Sequence, residues 1–394
     1  MIRELKNLYH LLLAVLASFW YGFPGRKLTV IGVTGTDGKT TTTTLIHELL
    51  KAIGKKVSMI STVGAVIAGK TYDIGFHVTN PDPWDLQKYL RQSVDGGDEY
   101  MVLEVTSHGI DQNRVWGIPF AIGVITNVTH EHLDWHGTFD QYLLTKLRLV
   151  QWAKRAVINR DDPSLYTHVN SYPTGDRLTT FGLGKNADVN PTIYSFTTTL
   201  PGDYNKSNIL AALAVGQILK LDKQEMLKTV AGFEGIVGRM EMMQKKPFRV
   251  IVDFAHTPNA LLQVLSTVKK TTKGKLIHVF GCAGLRDHTK RPLMGEASEQ
   301  YADTIVLTEE DTRIENVSEI MDDISSGFKK KKVAHRYPDR REAIAYALKI
   351  ATPGDTVILT GKGHEKSLCR GTTEYPWSDQ ETVKELLEKN AHKK

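Results

Sequence analysis

Thr34-Gly35-Thr36-Asp37-Gly38-Lys39-Thr40-Thr41 is the stretch whose reading decides the fold. Before it, Leu28 to Val33 reads as a short buried strand; after it, Leu45 to Leu50 has helical spacing. A strand, a glycine turn, Gly-Lys-Thr and a helix make a phosphate cradle. Glycines let backbone N–H groups converge on an anion, and the helix N-terminus adds partial positive charge. Lys39 then reaches the terminal phosphates and Thr40 offers its hydroxyl to Mg²⁺. The spacing is Gly35-x2-Gly38-Lys39-Thr40 and not the commoner Gly-x4-Gly-Lys, because position 33 is Val. The bland alternative, a glycine turn before a Thr-rich helix, leaves the lysine unexplained. This is a nucleotide site.

Outward from the loop, strands and helices alternate, which predicts α/β layering with a mostly parallel sheet. Strands are expected at 56–60, 100–105, 121–126 and 156–159, and helices at 85–93, 141–153 and 205–219. Residues 172–202 read as loops and short strands. A boundary is expected near 245, giving an ATP-binding domain over 27–245 and a smaller doubly wound domain over 246–394. In the latter, strands are expected near 249–254, 276–281, 304–308 and 356–361, and a helix starts after Asp339 with Glu342 three residues on.

The chain has 394 residues, 24% of them charged, and a net charge of +6. That is an ordinary globular composition and excludes wholesale disorder. The excess suits anionic small substrates, and much of it sits in Lys329 to Lys332 and in His392-Lys393-Lys394. No basic–aromatic pattern points to nucleic acid. Two cysteines, Cys282 and Cys369, make no disulfide framework and suit a reducing cytoplasm, where a monomer is expected. Leu8 to Phe23 is apolar and aromatic but shorter than a spanning helix needs. Residues 1–26 therefore read as an apolar helix packed on the protein or at a partner interface. Peripheral membrane contact through 8–23 is the alternative.

Further positions carry chemistry. Glu104 ends its strand on the edge where open α/β sheets place ligands, and a carboxylate there can hold Mg²⁺. Asn127 to His136 packs three histidines with two acids, His132 among them. Arg239 can clamp a phosphate near a hinge. Asp253 ends a strand, and Gly281 to Asp287 and Gly361 to Glu365 are glycine-rich loops after strands. Read alone, Lys146 is a solvated helix residue.

Taken together, these motifs resemble the Mur ligase family. Within it they are most similar to the branch that adds a diamino acid to UDP-N-acetylmuramoyl-L-alanyl-D-glutamate. The resemblance rests on Gly35-x2-Gly-Lys-Thr-Thr41, Thr79-Asn-Pro81 and Glu104-Val-Thr-Ser-His108, with Asn127-x4-His132-x-Asp134 and Asn205-x2-Asn208 following. It continues through Gly238-Arg-Met-Glu241, Val252-Asp-Phe-Ala-His-Thr-Pro258, Lys290-Arg-Pro-Leu-Met-Gly295 and Gly361-Lys-Gly-His-Glu365. It implies a P-loop-type central ATPase domain followed by a Rossmann-like C-terminal domain. It also implies a reaction: ATP phosphorylates a glutamyl carboxylate, and an amine displaces the phosphate to form an amide. Gly35, Thr36, Gly38, Lys39, Thr40, Thr41, Asn205, Asn208, Arg239 and Asp253 would then hold ATP. Thr40, Glu104 and His132 would serve Mg²⁺. Lys146 matches a lysine that the family carbamylates. Thr79, Asn80, Thr106, Gln112 and Arg114 match contacts to the muramoyl-dipeptide acceptor. Arg286, Glu310, Asp311, Arg313, Gly361 and Glu365 match the pocket of the added diamino acid.

Three departures stand out. Residues 1–27 alone precede the first ATPase strand, where the family carries a UDP-binding domain. The family's Asp-Asn-Pro-Arg reads here Glu310-Asp311-Thr312-Arg313; the retained Arg favours meso-diaminopimelate over lysine, unless it is spent on a salt bridge to Glu315 or Glu310. The 180–202 segment is shorter than usual. The rival readings are a folylpolyglutamate synthase-like ligase, a ligase for another cell-wall peptide, and a non-catalytic cell-wall assembly subunit. The last would be marked by loss of Lys39, Glu104, His132 or Lys146, and all four are present.

Overall fold

The computed structural model describes residues 2–72, 80–166, 168, 175–330 and 334–391. Thr79, Lys331, Lys332, 392–394 and part of the 172–202 stretch lie outside the described residues. The chain divides into two compact units, Met1–Thr129 with His136–Glu234, and His130–Trp135 with Gly235–Lys394.

The first unit is built on eight strands: β1 (Thr29–Thr34), β2 (Val57–Ser61), β3 (Gly64–Ile67), β4 (Lys70–Tyr72), β5 (Tyr100–Glu104), β6 (Phe120–Ile125), β7 (Arg155–Asn159) and β8 (Leu178–Phe181). Their order is β4-β3-β2-β5-β1-β6-β7-β8, parallel except for the β2–β3–β4 meander at one edge. Val30, Ile31 and Val33, like Met101 to Leu103, are fully buried, as parallel strands covered on both faces require. β1 lies between β5 and β6, and Val33 stands in register with Glu104. The phosphate loop therefore leaves the centre of the sheet, beside a strand that ends in a carboxylate.

Helix starts follow the caps written in the sequence. Asp82 accepts from Trp84 N ahead of Pro83, Thr106 from Gly109 N, and Thr138 from Gln141 N. The N-terminal helix spans Ile2–Trp20, inside the expected 1–26. Its first turn is tied down by Arg3, which donates to both oxygens of Asp111, at 2.9 and 2.8 Å. It stops earlier because Gly22 and Phe23 turn left-handed, with φ of 69° and 52°. Ala14, Ala17 and Ser18 are fully buried, and the helix packs on the helix Pro83–Asp95.

The second unit has a six-stranded sheet of β9 (Glu241–Gln244), β10 (Arg249–Val252), β11 (Leu276–Phe280), β12 (Thr304–Leu307), β13 (His335–Arg336) and β14 (Thr356–Leu359). Its order is β13-β12-β11-β14-β10-β9, parallel but for β9. A hairpin of β15 (Ser367–Arg370) and β16 (Thr373–Pro376) follows. Asp339 caps the helix Arg340–Ile350 by accepting from Glu342 N at 3.0 Å. The expected ligand loops leave the carboxyl ends of β10, β11, β12 and β14.

Candidate active site

The loop between β1 and the helix Lys39–Ala52 is held open by partners distant in sequence. Gly35 and Gly38 have φ of 151° and 82°. A Cβ at Gly35 would stand 1.8 Å from Thr126 Oγ1, and one at Gly38 2.1 Å from Asn208 Oδ1, so neither position tolerates a side chain. Asp37 N donates to Asn127 Oδ1 at 2.9 Å, Thr36 N to Asn127 O at 2.8 Å, and Thr126 Oγ1 to Asp37 O at 2.6 Å. The Thr36 hydroxyl meets the Tyr142 hydroxyl at 3.0 Å. Lys39 folds back over the loop and donates to Thr36 O at 2.8 Å, where an anion would compete for it. Thr40 and Thr41 begin the helix, both buried.

Glu104 is buried and accepts from Thr62 N at 2.9 Å and Thr62 Oγ1 at 2.8 Å. Its backbone oxygen accepts from Asn80 Nδ2 at 2.6 Å. Asn80 Oδ1 in turn takes Thr106 N and Oγ1, each at 2.8 Å, while Arg114 donates to Asn80 O at 3.0 Å and to Gln112 Oε1 at 2.8 Å. Four of the five residues matched to the acceptor thus form one hydrogen-bonded cluster behind the Glu104 strand end. The fifth, Thr79, falls outside the described residues. Nothing in the sequence singled out Thr62, since a lone hydroxyl has no local signature.

Lys146 corrects its plain reading. It is 1% exposed, donates to Gly35 O at 2.6 Å and lies 4.5 Å from the centroid of the Tyr142 ring. The helix Phe139–Trp152 turns it toward the phosphate loop and not toward water.

Asn205 and Asn208 lie on the helix Asp203–Ile218 of the first unit; Arg239 and Asp253 belong to the second. There, Asp253 accepts from Met240 N and Ala255 N, each at 2.7 Å, and the Arg239 guanidinium sits 4.3 Å over the Phe254 ring. His132 groups with the second unit and has φ of 57°. Its neighbour Glu131 is buried and ion-paired with Lys290 at 3.0 Å, so one acid of the histidine-rich segment is structural. Among the described residues no group of three or more His, Cys, Asp or Glu is arranged to hold a metal. Mg²⁺ needs no such cage, since it keeps waters and phosphate oxygens beside one or two carboxylates. The buried carboxylate of Glu104 and the Thr40 hydroxyl suit it.

The remaining candidates meet at the loops after β11, β12 and β14. Lys362 Nζ pairs with Asp311 at 2.8 Å and with Glu365 at 2.6 Å. Asp311 also accepts from Cys369 N at 3.0 Å. Glu310 lies against Gly361, where a Cβ would be 2.5 Å from Glu310 Oε2. That oxygen is buried with no hydrogen-bond partner among the described residues, and burial first, then the Asp311 charge, raises the Glu310 carboxyl to about 7. Arg313 (φ 52°) donates to Gly284 O and has no carboxylate partner among the described residues. Glu315 instead pairs with Arg291 at 2.7 Å. Desolvation and then the Arg313 charge lower the proton affinity of Arg286, so these two guanidiniums share surroundings that an anion would relieve.

An α/β fold with a strand–glycine turn–helix phosphate cradle is that of a nucleotide-dependent enzyme. The Mur ligase middle domain matches residues 33–216, and the Mur ligase glutamate ligase domain matches 238–363. The chain belongs to the Mur ligase family, whose members are ATP-dependent, ADP-forming ligases. It is 38% identical to the UDP-N-acetylmuramoyl-L-alanyl-D-glutamate–2,6-diaminopimelate ligase of Thermosynechococcus vestitus, over 94% of this chain and 79% of that ligase. It is 37% identical to the UDP-N-acetylmuramyl-tripeptide synthetase of Roseiflexus, over 95% of this chain and 81% of that protein. A solved diaminopimelate ligase of the first type superposes with a TM-score of 0.61 at 32% identity, over 93% of this chain and 79% of that one. The fold is also that of Mycobacterium tuberculosis folylpolyglutamate synthase, with a TM-score of 0.68 at 17% identity over 89% of this chain and 92% of that one.

Proposed function

We propose that the protein joins a diamino acid, meso-diaminopimelate, to a muramoyl-L-Ala-D-Glu acceptor in the cytoplasm, using ATP, for peptidoglycan synthesis. The observation that carries the reading is the register of β1 with β5, which sets Glu104 beside the phosphate loop. A carboxylate is a poor electrophile until one oxygen becomes a phosphate leaving group, and the transferring phosphoryl needs positive charge around it. Lys39 and the loop N–H groups receive the terminal phosphates. Thr40 and Glu104 would hold Mg²⁺, which neutralises phosphate charge. Asn80, Thr106, Gln112 and Arg114, with Thr79, hold the acceptor so that its glutamyl oxygen faces the γ-phosphoryl. The amine then attacks the acyl phosphate, the C–N bond forms, and inorganic phosphate leaves with the C–O electrons. Arg313 and Arg286 grip the distal carboxylate of diaminopimelate, and Glu365 its ammonium. Lysine lacks that carboxylate and leaves two cations unmatched, so it is the poorer substrate by at least about 100-fold in kcat/KM.

The test is product formation by mass spectrometry, together with ADP release. The purified protein is given UDP-linked or free muramoyl dipeptide, with diaminopimelate, lysine or ornithine. Lys39→Ala and Glu104→Ala each lower kcat by on the order of 10²–10³ without unfolding the chain. Full activity in either variant at saturating ATP and Mg²⁺ would remove the nucleotide site, and equal kcat/KM for lysine and diaminopimelate would remove the amine assignment. Lys146 is read as carbamylated: its amine nitrogen bonds to CO₂ carbon and loses a proton, giving a carboxylate near the loop. Intact mass under CO₂ should show the addition, and Lys146→Ala should lack both the adduct and activity. Free lysine alone under those conditions would refute it.

A further inference from the structure

We propose that the helix Ile2–Trp20 is a docking ridge that lies in the surface of an anionic lipid bilayer. The helix has two apolar faces. One is used by the protein itself, through Ala14 and Ala17 and the packing on Pro83–Asp95. The other faces water: Leu5, Leu8, Leu12, Leu16, Phe19 and Trp20 are 52 to 74% exposed. Steps of three and four residues put them on one stripe, about 22 Å long at 1.5 Å per residue. Single exposed leucines need no explanation, but a contiguous apolar stripe marks an interaction surface.

The chemistry at the end of the ridge indicates what it meets. Phe19 and Phe23 are edge to face at 5.0 Å, and the Arg26 guanidinium lies 4.1 Å over the Phe23 ring. Trp20 and Tyr21 rings lie 6.1 and 5.7 Å from that of Trp84. Arg26 and Lys27 are exposed, and no acidic residue occurs between Phe19 and Lys27. Amphipathic rings at headgroup depth beside cations are the signature of an interfacial segment on anionic lipid. A protein partner would be met by a rim of mixed charge. No described helix is long and apolar enough to cross a membrane, so the ridge lies on the bilayer. Because Arg3 is bonded to Asp111, at the end of the helix that Thr106 caps, docking would hold the elements carrying Thr106 and Arg114 beside the bilayer.

The experiment is flotation of the full chain with vesicles of phosphatidylcholine mixed with phosphatidylglycerol, and with phosphatidylcholine alone. Tryptophan emission reports insertion. The wild type should float with the anionic vesicles and shift its emission to the blue. Leu12→Glu with Leu16→Glu should weaken binding at least about tenfold. Arg26→Glu and Lys27→Glu should each weaken it about fivefold or more on anionic vesicles only. Both sets change exposed side chains, so melting temperature and ligation of a soluble acceptor should stay at the wild-type level. Failure of the wild type to float, or binding indifferent to the Leu12 and Leu16 changes, overturns the proposal. So does a dimer that those changes dissolve in a chain that ignores vesicles, which would assign the ridge to a second copy.

Discussion

Glu310 is a carboxylate with too little water around it. Its folded value of about 7 lies above the ordinary 4.5, so between those values the folded chain binds a proton that the unfolded chain does not. Its contribution to stability is therefore greatest below pH 4.5 and is lost as pH rises through 7. The size is on the order of 3 kcal/mol, from 1.36 kcal/mol per pKa unit. Glu310→Gln keeps the shape and removes the titration. In urea unfolding at pH 6 and pH 8 the variant should gain on wild type with rising pH, by about 1 kcal/mol, since the histidine contributions are common to both. Equal pH slopes would mean that the carboxyl is solvated or paired. An ammonium brought into the loops after β12 and β14 would supply the missing partner, so diaminopimelate should narrow that difference. Arg313 and Glu310 were readable as candidates by motif. That Lys362 would already occupy Asp311 was not, because two loops far apart in sequence bring those charges together, while Glu365 is only three residues on.

Among the elements, the C-terminal helix Asp379–Ala391 is fixed at its first residue. Arg340, on the helix Arg340–Ile350, donates to both oxygens of Asp379 at 2.8 and 2.6 Å, and both side chains are fully buried. Trp377 Nε1 adds a bond at 2.9 Å. Asp379→Ala leaves a buried guanidinium short of its partner and should cost about 3–5 kcal/mol. Chemical denaturation measures that loss, and a change under about 1 kcal/mol would show that water replaces the carboxylate. The pair is as hidden from sequence as the Arg3–Asp111 pair that ties down the first helix, since neither partner is local. What was legible is what has local cause. Long apolar strands next to glycine turns gave β1, β5, β6 and β7, and a capping Asp339 gave its helix. The β3–β4 and β15–β16 hairpins and the edge strand β9 escaped because they are short and polar. Lys70-Thr71-Tyr72 and Glu241-Met242-Met243-Gln244 become strands by pairing, not by propensity.

Across the whole molecule, buried neutral histidines set the acid limit. In the first unit, His136 is buried with neither ring nitrogen bonded among the described residues, and desolvation lowers its pKa to about 4. In the second, desolvation lowers His256 and His278 to about 3 each. His278 is held between Ser298 Oγ at 2.8 Å and Thr360 Oγ1 at 2.9 Å, an arrangement that a neutral ring satisfies by donating once and accepting once. In every case the folded value lies below the unfolded 6.5. The stability these groups permit is thus complete above pH 6.5 and lost as pH falls toward 4 and 3. For His278 alone the loss reaches on the order of 5 kcal/mol at the acid end. Glu310 works the other way between pH 7 and 4.5, so the second unit should lose stability later on acidification than its histidines alone would dictate. Denaturant midpoints at pH 7, 5.5 and 4.5 should therefore fall for both units. His278→Gln should flatten the descent in the second, and Glu310→Gln should steepen it. Midpoints that hold level down to pH 4.5 would mean that these rings take up protons in place, with room for water beside them.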